Sequence, residues 1–203
     1  MRVLAYVRLM RSPYDRRPDE DPPTPPALHA PWLDEQLFGR RMVFLRGPIE
    51  PEMASRAAAT LLALDASGPD PISVHMSADQ GTLSAVWTLV DAIDALEAPV
   101  HATAVGEVSG AALGVFCAAT ERNAFAHARF RLAEPKVSSP GGTADQVVAE
   151  AGRYLRDLED LVLRISGVTG QPRSRVEDDL QSGRVLSAEE AITYGLISAI
   201  VKR

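Results

Sequence analysis

Residues 71–93 read PISVHMSADQGTLSAVWTLVDAI, and this stretch decides the fold. Ile72 to Met76 has the length and apolar content of a buried strand, and Gly81 to Leu96 reads as the helix that follows it. A strand that hands over at once to a helix is the unit of an α/β fold. The unit recurs on both sides. Upstream, Met42-Val43-Phe44-Leu45 is a short apolar run ended by Gly47-Pro48, a strand and its turn. Met53, Ala57, Leu61 and Leu64 then repeat at helical spacing until Gly68-Pro69 stops them. Downstream, Val100 to Val105 is predicted as a third strand and the nearly all-apolar Ala111 to Ala119 as a buried helix. Phe125 to Leu132 is predicted as one further strand. The alternation implies a largely parallel sheet, and no internal repeat is visible.

The C-terminal part is mostly helical. Val148, Ala151, Leu155, Leu158, Val162 and Ile165 form a heptad-like stripe. One helix over residues 143–167 would extend roughly 37 Å at about 1.5 Å per residue. That length suggests an element that projects and packs on another subunit; a core contact within the chain is the equal alternative. Ser187 followed three residues later by Glu190 fits a capping box. Gly195 then stops that helix, and Leu196 to Val201 is predicted as the last strand.

With 203 residues, 46% of them hydrophobic and 24% charged, the chain has the make-up of one globular domain. Its net charge of −6 argues against a nucleic-acid surface, and Arg16-Arg17 and Arg40-Arg41 are too short to alter that. Cys117 is the only cysteine, so no intrachain disulfide forms. The N-terminus has no uninterrupted apolar core or cleavage pattern, and no stretch reaches the roughly 18 apolar residues of a membrane helix. A cytoplasmic protein with no membrane partner, cofactor or metal is expected. Residues 1–35 stand apart. Five prolines from Pro18 to Pro26 are mixed with Asp15, Asp19, Glu20 and Asp21, which predicts an extended, solvated arm before a domain over 36–203. Within the arm, Val3 to Val7 has the composition of a short strand.

Three segments resemble the proteolytic subunit of the Clp protease, ClpP. LFGRRMVFLRGPI (37–49) is similar to the family's opening strand and turn. PISVHMSADQGTLSAVWTLVDAI (71–93) aligns without gaps to the stretch carrying N-S-P-G-G. TGQPRSRVEDDLQSGRVLSAEEAITYGLI (169–197) is similar to the C-terminal helices and the segment between them. The resemblance implies the ClpP/crotonase spiral of repeated ββα units, with the long helix protruding. It also implies seven-membered rings that stack through that helix. Expected partners are further copies, an active ClpP paralogue or a Clp AAA+ chaperone. The Pro-rich arm does not resemble the family's axial-gate segment.

The chemistry departs from the family pattern. A serine peptidase needs a hydroxyl nucleophile, an imidazole base and an orienting carboxylate. The family's serine lies four residues after a glycine that ends a strand; that glycine matches Gly106, so the nucleophile position falls on Gly110. Ala133 takes the place of the histidine in H-Q-P, and Gly183 that of the aspartate. Ser109, one residue from the nucleophile position, reads as a helix N-cap, and His127, six residues before the base position, as a strand-edge residue. By the same resemblance, the backbone amides of Gly81 and Ala111 match the oxyanion hole. Asp79 beside them would oppose a growing negative charge. The expectation is a catalytically inactive ClpP-like subunit, a pseudo-peptidase that acts through assembly. The alternatives are an active serine endopeptidase with a non-standard site and a crotonase-like acyl-CoA enzyme. For the latter, Gly106 to Gly114 and Ala128 to Pro135 resemble crotonase segments, and Glu107 and Glu134 would be the acids.

Overall fold

The computed structural model describes residues 31–135 and 143–202, and Gln36–Arg203 forms one compact unit. The Pro-rich stretch, with the strand expected at Val3–Val7, lies outside the described residues. The description begins with a helix, α1 (Pro31–Gly39). Proline suits a first helical position, since its missing amide hydrogen would have no helical partner there.

Four strand–helix units follow. They are β1 (Met42–Arg46) with α2 (Pro51–Ala66), β2 (Ile72–Ala78) with α3 (Leu83–Asp94), and β3 (Val100–Ser109) with α4 (Ala112–Ala118). The fourth is the strand pair β4 (Glu121–Phe125) and β5 (Arg129–Arg131), joined to α5 (Ala144–Thr169). The chain closes with α6 (Arg173–Ser182), β6 (Val185–Ser187), α7 (Ala188–Tyr194) and β7 (Ala199–Val201). The main sheet runs β1-β2-β3-β4-β7, all parallel, with β5 and β6 off this path. Strand residues alternate in burial: in β2, Ile72, Val74, Met76 and Ala78 face the helices, while Ser73, His75 and Ser77 face the other way. On that other face His75 stacks on Phe44, with ring centroids 5.0 Å apart, and burial lowers its pKa.

Two strand expectations are corrected. Phe125 to Leu132 is not one strand, because the chain turns at Ala126-His127 and leaves two, β4 and β5. The third strand does not end at Val105 or Gly106 but runs to Ser109. Its first half, His101–Ala104, pairs with β4, and its second half, Glu107–Ser109, pairs with β5. Between the halves the register against β2 shifts. Gly106 sits in this bend with Ser77 Oγ 2.6 Å from where a Cβ would lie, so the strand crosses its neighbour where a side chain has no room. The second half of β3, β5, β6 and the Ile49–Gly81 bridge form a short second row beside the main sheet. Each unit therefore gives one strand to the sheet and a shorter one to the row before its helix, which is the ββα spiral.

Helix α5 spans 26 residues, about 39 Å at 1.5 Å per residue. Thr143 caps it through a full capping box with Gln146. Its stripe divides in two. Leu161, Val162 and Ile165 are buried against the core, whereas Val148 and Leu155 are 71% and 63% exposed. The core reading thus holds for the C-terminal half, and the N-terminal half leaves Val148 and Leu155 on the surface. Among the described residues no helix is long and apolar enough to cross a membrane. Cys117 is buried in α4, and burial pushes its thiol up to about 12.

The division of α5 predicts opposite outcomes for two leucine truncations. Leu161→Ala should lower unfolding free energy by about 3 kcal/mol in urea titrations, and Leu155→Ala of the isolated chain should change it by less than about 0.5 kcal/mol.

Candidate functional site

The candidate site lies where the second row meets the first turns of α3 and α4. There β3 ends at Ser109, Gly110 turns the chain, and α4 begins. Gly110 has φ +57°, a left-handed conformation that costs a side-chain-bearing residue roughly 1–2 kcal/mol. Its amide donates to the Arg131 carbonyl at 3.1 Å, so the turn is tied to the end of β5. The far wall is the segment after β5. The Leu132 amide donates to the Arg184 carbonyl and the Glu134 amide to the Leu180 carbonyl, which fix this wall to the end of α6. Tyr154 on α5 donates its hydroxyl to the Pro135 carbonyl at 2.8 Å. Burial and the Glu134 carboxylate push that phenol up.

Between these walls lies a cleft of about 570 Å³. It brings together Gly110, Ala133, Gly81 and Ala111, four of the positions that the sequence singles out. A Cβ on Gly110 would have the Ala133 carbonyl oxygen at 3.6 Å, an ordinary contact, so the limit on a side chain there is the left-handed backbone rather than space. Gly183 does not line the cleft. It caps α6 in the left-handed conformation, next to Arg184, whose carbonyl holds the cleft wall.

Ser109 also lines the cleft, but its role differs from a helix cap: the N-cap of α4 is Ala111. The Ser109 side chain is the last of β3, only 3% exposed, and its hydroxyl donates to the Asp79 carbonyl at 2.6 Å. It thereby clamps β3 to the loop after β2. His127 is exposed in the β4–β5 turn, and none of the described residues lining the cleft is a histidine. His75 and His101 lie on the main sheet, where His101 Nε2 is 3.7 Å from Glu121. His29 lies outside the described residues.

Two donors remain in the cleft. Among the described residues, the Gly81 and Ala111 amides have no backbone acceptor: the Ile49–Gly81 bridge uses the amides of Ile49 and Thr82 instead, and Ala111 precedes the first residue of α4. Charge around them is mostly negative, from Glu50, Asp79, Glu107 and Glu134. Arg131, at the end of β5, pairs with Glu107 at 2.9 Å. Among the described residues no group of three or more His, Cys, Asp or Glu side chains is placed to hold a metal ion.

Sequence reasoning missed Arg131 and Glu50, and it missed the hub that holds the cleft wall. Asp179 on α6 is 8% exposed. Its carboxylate accepts from the Tyr194 hydroxyl at 2.8 Å and from Arg184 Nη1 at 3.1 Å. Arg175 and Arg184 both lie against the Tyr194 ring. Burial and the Asp179 carboxylate raise the Tyr194 phenol. A signal existed, since Val176, Asp179 and Leu180 fall on one helical face.

The whole domain matches known proteins. A family model described as Clp protease matches residues 30–203. An ATP-dependent Clp protease proteolytic subunit 1 from Frankia casuarinae is 30% identical over 185 residues, 88% of this chain and 86% of that protein. An ATP-dependent Clp protease proteolytic subunit from Paracoccus denitrificans is 30% identical over 169 residues, 82% of this chain and 84% of the relative. Among solved structures, a ClpP1 variant from Listeria monocytogenes superposes with a TM-score of 0.73 at 26% identity, covering 84% of this chain and 96% of that one. The chain belongs to the Clp protease family, and its α/β architecture is that of ClpP.

The Asp179 hub gives a stability test. Asp179→Ala leaves a guanidinium and a phenol without their acceptor and should cost about 2–3 kcal/mol in urea unfolding. Asp179→Asn keeps an acceptor for Tyr194 and should cost about half as much.

Proposed function

We propose that this chain is a non-cutting member of the Clp protease family that acts by assembling into a protease ring, with itself or with an active paralogue. The observation that carries the reading is the pair of residues Gly110 and Ala133 lining one cleft. On the turn from β3 into α4, where the resemblance puts a nucleophile, stands Gly110, and where it puts the base stands Ala133. Gly183, at the position of the acid, is a bare helix cap. Ser109 is a poor substitute, because its hydroxyl is donated to a backbone carbonyl and no histidine is among the described residues that line the cleft. Without a nucleophile, a comparable peptidase site loses about a million-fold in turnover.

Assembly is supported by what the fold retains. Family members form rings and work with Clp chaperones, and the exposed half of the α5 stripe here is an apolar surface on a projecting helix. The helices of the scaffold are well terminated and packed, with full capping boxes at Thr143 and Ser187 and the C-terminal half of α5 buried. A crotonase-like acyl transfer is the second reading, favoured by Glu107 and Glu134 lining the same cleft as two free amides. Arg131 neutralises Glu107, which leaves Glu134 as its acid.

Native mass measurement of the purified chain, alone and mixed with an active ClpP, tests the proposal alongside turnover of a fluorogenic peptide. A ring or mixed ring is expected, with no turnover by the chain alone. Gly110→Ser/Ala133→His/Gly183→Asp, built into the same assembly, should gain measurable turnover. A persistent monomer both alone and in the mixture, or turnover by the unaltered chain, would overturn the reading.

A further inference from the structure

We draw no further inference here: the strongest candidate, the groove between α3 and α5 lined by Trp87, Leu163, Asp91, Asp157 and Asp160, is a cluster of acidic side chains around a partly buried indole, and nothing among the described residues shows what covers it.

Discussion

The bulge of β3 against β2 at Gly106 is the constraint on which the rest of the site depends. Met76 pairs with Ala104 and Ala78 with Val108, so β3 takes up extra residues exactly where it leaves the main sheet for the second row. A side chain at that bend would meet the Ser77 hydroxyl. Past it, Glu107–Ser109 pairs with β5, the Ser109 hydroxyl grips the Asp79 carbonyl, and the left-handed turn at Gly110 starts α4. Three contacts within a few residues thus place the Gly81 and Ala111 amides and Gly110 in the cleft. That placement depends on glycine at 106 and 110 and on the Ser109 hydroxyl, and not on a nucleophile or base side chain.

The scaffold of the fold and the side chains of the cleft rest on different contacts. The parts of the fold that bury apolar surface are intact: α3 and α4 pack on the sheet, and the C-terminal half of α5 closes the core with Leu161 and Ile165. The opposite wall of the cleft is held by main-chain bonds to the end of α6, and those in turn by the Asp179, Arg184 and Tyr194 hub. None of these contacts requires a hydroxyl at residue 110 or an imidazole at residue 133. Glycine at 110 and alanine at 133 are therefore compatible with a stable fold, whereas Asp179→Ala is expected to destabilise it.

Much of this was legible in the sequence, and the rest was not, for physical reasons. Apolar runs broken by Gly-Pro marked β1 and the end of α2, and the Ser187/Glu190 spacing marked the start of α7, because local chemistry fixes those boundaries. The β4–β5 turn at Ala126-His127 carries no glycine or proline, so one apolar stretch concealed two strands. The extension of β3 was hidden because Gly106-Glu107 reads as a strand end, whereas tertiary pairing with β5 carries the strand on. Composition hid Asp179 too: α6 reads RSRVEDDLQS, and only the helical face shared with Val176 and Leu180 separates a buried carboxylate from its exposed neighbour Asp178. Position alone, through resemblance, pointed to Gly110 and Ala133, and both line the cleft.

The account stands or falls on whether any hydroxyl in the cleft is activated. Labelling of the assembled chain with a fluorophosphonate probe, beside an active ClpP as positive control, measures this directly. The account predicts no covalent label on this chain while the control is fully labelled. Label that appears on this chain and disappears in Ser109→Ala would contradict it.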